Sequence, residues 1–206
     1  HHDGTVSGGG EWHPDGSLDT AKVRGAFQFS STPDTEISVA DAPELRFGTD
    51  DFSIDFWIKF PVGANTNVPL TGVLQKRQGG PHGGYQVVVR FNRFEIDIFG
   101  NDGNYSYFYT NSGTVVTGSW QHVAITVDRT EPSIGVKFYI DGQAVDVFSD
   151  GPLLRGIAPP FDVGNIGPVL LGTGSFAGTL DEVRLFHSAL SDTQVRAIYD
   201  SGAAGI

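Results

Sequence analysis

With 206 residues, 39% of them hydrophobic, and a formal net charge of −11, the chain is long enough for one substantial core. It is also too acidic for a nucleic-acid surface, which needs a surplus of Lys and Arg against phosphate. Cysteine is absent, which removes disulfides, thiolate metal sites and a cysteine nucleophile, and no apolar run reaches the roughly 20 residues of a membrane helix.

Methionine is absent too, even at position 1, so the chain reads as a processed product or an excised piece, with His1 and His2 as a tag remnant. The 28 glycines and 11 prolines are spread along the chain, the pattern of many short strands joined by turns. Strands are expected at 25–30 (GAFQFS) and 35–40 (TEISVA). The clearest is FSIDFWIKF at 52–60, which puts Phe52, Ile54, Phe56, Ile58 and Phe60 on one face and Ser53, Asp55, Trp57 and Lys59 on the other. Trp57 among polar neighbours is either a packed aromatic or a stacking platform for a sugar ring. Further strands follow at 72–77, 85–91, 93–99, 105–110, 120–128, 136–142, 169–173 and 179–186, broken by turn-forming GGPHGG, GNDGN and DGQ. One helix follows the last strand. Ser191 and Gln194 form a capping box, Leu190 can staple onto Val195, and Gly202 is placed to end it. The expectation is a single domain over 1–206, all-β, an antiparallel sandwich of two sheets with one short C-terminal helix.

Four segments carry a resemblance: GAFQF with DTEISVADAPEL, then DFSIDFWIKF, then WQHVAITVDRTEPSIGVKFYIDGQAV, then FAGTLDEVRLFHSALSDTQVRAIYDSG. In this order they resemble the laminin-G-like domains of the concanavalin A-like lectin/glucanase superfamily, relatives of pentraxins found in bacterial surface and secreted proteins. The resemblance implies a jelly roll with one concave sheet. Family members usually carry one more strand before the HDGTV segment, so an open sheet edge is expected, where another segment can add.

The resemblance also directs a search for an active site. Laminarinase-like enzymes of the superfamily carry Glu-Ile-Asp-Ile-Glu on a concave strand; here FEIDIFG supplies Glu95 and Asp97, with Phe99 where the acid/base carboxyl would stand. Retaining hydrolysis needs two carboxyls about 5 to 5.5 Å apart, one of them a proton donor. The alternative is that Glu95 and Asp97 are only the polar face of a strand with Phe94, Ile96 and Ile98 beneath. Tyr105, Tyr107 and Tyr109 share a face and suit a lyase, ring packing or sugar stacking. No G-x-S-x-G elbow occurs, and the six histidines show no H-x-x-x-H pair.

Strand 179–186 alternates Asp181, Val183 and Leu185 against Glu182, Arg184 and Phe186. With Val183 and Leu185 toward the core, Asp181 points inward and needs a partner or a cation. Laminin-G-like domains often hold calcium between an early turn and a late strand, and the matching positions are Asp34 and Asp181; Ser30 stands where many relatives have a further aspartate. The expected ligand-binding residues are Trp57, Arg77, His82, Tyr85, Arg90, Tyr105, Tyr107 and Tyr109. Together these readings describe a noncatalytic module, secreted or on a bacterial cell surface, part of a larger protein, that binds a glycan or another protein and is stabilised by calcium. The alternatives are a glycoside hydrolase or polysaccharide lyase, and an assembly subunit joined by strand addition.

Overall fold

A computed structural model describes residues 3–13, 25–31, 34–77, 83–100, 105–131, 135–150 and 167–203. Fifteen strands run in chain order: β1 (Gly4–Ser7), β2 (Glu11–His13), β3 (Ala26–Gln28), β4 (Glu36–Val39), β5 (Phe52–Lys59), β6 (Thr71–Arg77), β7 (Gly84–Arg90), β8 (Arg93–Phe99), β9 (Tyr105–Tyr109), β10 (Trp120–Val127), β11 (Val136–Ile140), β12 (Gln143–Val145), β13 (Phe148–Asp150), β14 (Val169–Leu171) and β15 (Thr179–Phe186). A helix, α1 (Asp192–Ala203), closes the set. The strands form two antiparallel sheets, one of eight in the order β1-β4-β14-β6-β7-β8-β9-β13 and one of seven in the order β12-β11-β10-β5-β15-β3-β2. Each strand expected from the alternation is present; β1, β2, β12 and β13, of three or four residues, are additions.

The core between the sheets is built from the apolar alternate of each strand. Phe52, Ile54, Phe56 and Ile58 of β5 meet Tyr85, Val87 and Val89 of β7, Phe94, Ile96 and Ile98 of β8, and Val123 and Ile125 of β10, all essentially without exposure. Tyr85 therefore points into the core, donating its hydroxyl to the Leu45 carbonyl at 3.2 Å, which corrects its reading as a ligand-facing residue. It shares that inward face with its cross-strand partner Lys76. The Lys76 ammonium is fully buried and donates to Asp41 and to the Gly167 carbonyl, both at 2.6 Å.

β5 departs from the half-buried pattern expected of it, since Ser53, Asp55 and Trp57 are as buried as the apolar alternate. The cause is α1, which lies on the outer face of the seven-stranded sheet. Ser191 and Gln194 form the capping box, with backbone N–H bonds of 2.9 and 3.3 Å. Leu190 and Val195 join Ala124 and Tyr139 in a second small core. Tyr199 stacks on Trp57 with ring centroids 5.7 Å apart. Gly202 lies within the last turn of the helix, and a Cβ there would stand 2.8 Å from the Trp57 indole nitrogen, so only glycine permits the approach. Trp57 is thus the packed aromatic of the two alternatives, under the helix, which corrects its inclusion among the ligand-binding residues.

Asp41, bound also by Arg46, has its carboxyl held down at about 2, chiefly by the Arg46 hydrogen bond. Replacing Asp41 with Asn leaves the buried Lys76 ammonium with neutral acceptors only and no counter-charge among the described residues, and urea unfolding should show a loss of about 3 kcal/mol. In the wild type the Asp41 contribution is present above the ordinary carboxylate value of 3.8 and is lost as the pH falls through about 2.

Candidate functional site

The β7–β8 hairpin sets the register of the outer face of the eight-stranded sheet. Its two turn residues, Phe91 and Asn92, take φ of 51° and 61°, the left-handed pair that a tight hairpin requires. Their N–H groups are tied to the Val68 and Thr66 carbonyls at 3.1 and 3.0 Å, which holds a conformation a Phe rarely adopts. From this turn the rows follow across the strands. Arg90 faces Arg93; Val88, Glu95, Tyr109 and Phe148 form the next row; Gln86, Asp97, Tyr107 and Asp150 the third; and Arg77, Gly84, Phe99 and Tyr105 the last. Residues directly opposite in an antiparallel sheet share a face, so these side chains form one surface.

Two carboxylates sit beneath that surface. Glu95 is 1% exposed and held by Arg90 at 2.9 Å and Arg93 at 3.0 Å. Asp97, equally buried, accepts from Gln86 Nε2 at 2.5 Å, with Arg90 4.0 Å away. Burial raises the Asp97 carboxyl to about 7, against the Gln86 hydrogen bond and with the Glu95 charge adding to the rise. Above them lie aromatic rings. Tyr105 and Tyr107 are 5.0 Å apart between centroids, Phe99 packs 6.2 Å from Tyr107, and Tyr109 stacks on Phe148 at 6.1 Å. Arg77 lies over Phe99 at 3.7 Å and Arg93 over Tyr109 at 3.5 Å, while Tyr109 donates to Asp150 at 3.1 Å. Tyr105 and Phe148 are the most open rings, at 45% and 44% exposure.

Of the expected ligand residues, Arg77, Arg90, Tyr105, Tyr107 and Tyr109 therefore share one face, Tyr85 lies in the core between the sheets, Trp57 is buried beneath α1, and His82 is outside the described residues. Gln86, Arg93 and Phe99 belong to the face and were missed, although the alternation that puts Glu95 and Asp97 on the outer side of β8 also places Arg93 and Phe99 beside them. Phe148 and Asp150 carried no signal, since three residues show no periodicity.

On the opposite sheet the acidic pair of β15 divides in a way the alternation did not foresee. A bulge falls between Asp181 and Arg184, with Glu182 at φ 45°. Asp181 is consequently opposite Trp57 and faces α1, while Val183 and Leu185 pack on the core. This corrects the placement of all three on one face. Arg184 is more than a surface partner of Glu182, because its Nε and Nη2 bond both oxygens of Asp55, at 2.8 and 3.0 Å. Asp55 is fully buried, with His122 Nε2 at 3.4 Å as its second neighbour. Asp181 takes the Glu182 N–H on Oδ1 at 2.6 Å, its Oδ2 has no partner among the described residues, and burial lifts its carboxyl to about 6. Asp34 is exposed, in a bridge with Ser31. Among the described residues no three His, Cys, Asp or Glu side chains gather as a metal site.

At the end of the eight-stranded sheet, β1 pairs only with β4, and residues 181–186 of β15 pair only with β5 among the described residues. Ile37, Val39, Val169, Leu171, Val183 and Leu185 line a cavity of about 630 Å³ there. No helix among the described residues is long and apolar enough to cross a membrane.

Two antiparallel sheets with a closing helix on one outer face define the class, a jelly-roll β-sandwich. A laminin G family model, described as the concanavalin A-like lectin/glucanases superfamily, matches residues 31–196, and the chain belongs to that family. No curated protein sequence matches it. Among solved structures it is similar to the binding domain of Paraclostridial Mosquitocidal Protein 1, with a TM-score of 0.73 and 17% identity over 97% of this chain and 47% of that one. It is also similar to the binding domain of Botulinum Neurotoxin serotype G, with a TM-score of 0.72 and 15% identity over 97% and 47% of the two chains. For the serotype D binding domain the TM-score is 0.70 and the identity 18%, over 97% and 46%. The likeness is one of fold, and the chain spans about half the length of these structures.

A carboxyl raised by burial stabilises the fold while it is protonated, so the Asp97 contribution is present below the ordinary value of 3.8 and lost as the pH rises through about 7. Urea unfolding from pH 4 to 8 should therefore show Asp97→Asn holding its stability better than the wild type, with a difference on the order of 2 kcal/mol at pH 8.

Proposed function

We propose that the protein is a noncatalytic recognition or adhesion module, secreted or on a bacterial cell surface within a larger protein, that binds a glycan on the outer face of the eight-stranded sheet. The observation that carries this reading is the layer of Tyr105, Tyr107, Tyr109, Phe99 and Phe148 interleaved with Arg77, Arg90 and Arg93. Sugar rings present C–H faces to aromatic rings and hydroxyls to guanidinium and phenol groups, and both kinds of partner are within one surface here. The opposite outer face is closed by α1. The neighbours of similar fold are titled binding domains, which supports the same reading.

The placement of the carboxylates favours recognition over hydrolysis. Glu95 is engaged by two guanidiniums, and Phe99 stands under Arg77 where a proton donor would be needed. Incubated with laminarin, xylan, alginate and polygalacturonate, the protein should bind at least one polymer and release neither new reducing ends nor unsaturated products. Tyr107→Ala should weaken that binding by about tenfold. Turnover that disappears in Glu95→Gln would replace this reading with an enzyme.

Calcium is part of the proposal, with Asp34 and Asp181 as its carboxylate ligands. Its support is the Oδ2 of Asp181, which has no partner among the described residues and is a hard oxygen of the kind calcium takes; a bound ion would neutralise that buried charge. Millimolar calcium should raise the melting temperature and chelator lower it; a Tm indifferent to both would remove calcium from the account.

A further inference from the structure

The three arginines of the candidate face differ in what holds them. Arg90 and Arg93 are both bound to Glu95, so their charge is compensated within the protein. Arg77 has no carboxylate within ion-pair distance among the described residues, and its buried Nε, like those of Arg90 and Arg93, has no hydrogen-bond partner among them. What holds it is the ring of Phe99 beneath the guanidinium. The gap that lets it reach there is Gly84, its cross-strand neighbour, which stands between Arg77 and Phe99 in the row and has no side chain to block the path. Gly84 has φ +145°, and a Cβ there would lie 2.2 Å from the Lys76 carbonyl oxygen, so the gap is fixed by the backbone. The Phe99 ring under Arg77 packs 6.5 Å from Tyr105 and 6.2 Å from Tyr107 between centroids, so the guanidinium and the two tyrosines border one another across it.

A guanidinium resting on an aromatic ring keeps donors for a planar partner and is partly relieved of its hydration. The partner that fits this fork is a carboxylate, which it can bind bidentately. Resting on the glycan-binding reading above, we propose that Arg77 selects a carboxylate-bearing sugar, a uronic acid or similar residue, whose ring lies on Tyr105 and Tyr107. The net charge of −11 does not forbid this. At physiological salt the screening length is about 8 Å, so the charges next to the ligand decide: Arg77, the compensated Arg90–Glu95–Arg93 group, and Asp150 in the row of Tyr107, which accepts the Tyr109 hydroxyl.

The test uses affinity electrophoresis and calorimetry with polygalacturonate, the same polymer after reduction of its carboxyls, laminarin and dextran sulfate. The expected result is preference for polygalacturonate over its reduced form. In Arg77→Gln that preference should be lost, with binding to polygalacturonate about tenfold to a hundredfold weaker. Arg77→Lys keeps the charge but loses the fork, and should recover only part of the affinity. Circular dichroism and the residual binding to the reduced polymer report whether each variant is folded. Equal binding to both forms, or to laminarin, with loss in Tyr107→Ala, would overturn the carboxylate selection and leave the glycan-binding reading standing. Dextran sulfate bound as tightly as polygalacturonate would also overturn the selection, as a response to anions in general. Binding to none of the four, nor to xylan or alginate, would overturn both.

Discussion

Strand β5 has no free face, and the rest of the molecule is arranged around that constraint. One face enters the core between the sheets, and the other carries Ser53, Asp55 and Trp57, which water would have to leave for α1 to dock. A buried carboxylate is tolerated only when paired. The bidentate grip of Arg184 on Asp55, with His122 alongside, meets that need, and the bulge at Glu182 lets β15 bring Arg184 opposite Asp55. Trp57 then supplies the flat surface on which Tyr199 stacks, and Gly202 leaves room for the contact. Once this lid is in place, the outer face of the seven-stranded sheet is closed along its centre.

The opposite sheet meets the problem of buried charge in another way. Glu95 and Asp97 lie on the outer side of β8 yet are almost without exposure, because arginines and tyrosines from three strands fold down over them. Glu95 is neutralised by two guanidiniums. Asp97 is left to hold a proton near neutral pH, since burial outweighs what Gln86 and Arg90 provide. The carboxylates act as footings for the layer above, fixing the arginines whose planes and charges a ligand would meet. A surface built on buried ion pairs and stacked rings is preorganised, which lowers the ordering cost of binding.

Much of the fold was legible because its longer strands alternate strictly. FSIDFWIKF and RFEIDIF gave both the strands and their inward faces, and the S-x-x-Q box with Leu190 and Val195 located the helix. What alternation could not show was tertiary cover. Trp57 sits among polar residues, where alternation leaves both a packed aromatic and an exposed platform open, because the helix that buries it is more than 130 residues further along the chain. Tyr85 failed for a simpler reason: it is on the inward parity of β7, between Lys76 and Ile98, and a tyrosine can be core when its hydroxyl finds a carbonyl. The bulge at Glu182 needs a positive φ at a residue whose type does not announce it, so the side chains beyond it could not be assigned to faces by counting in twos. The tyrosine run was found because its spacing by two survives in the structure, and Arg77 and Arg90 were found by the hydrogen-bonding capacity of their side chains alone.

Family membership places the chain among sandwiches whose ligands vary, so the location of the binding surface has to come from this molecule's own faces. The central claim is that the open outer face of the eight-stranded sheet is that surface. Backbone amide and tyrosine-ring NMR shifts, followed while oligogalacturonate and laminarin oligosaccharides are titrated in turn, test it most directly. The account predicts shifts across β7, β8 and β9, strongest from Tyr105 to Tyr109, with α1 unmoved. Shifts centred on α1 and the seven-stranded sheet, with β7 to β9 unchanged, would contradict it.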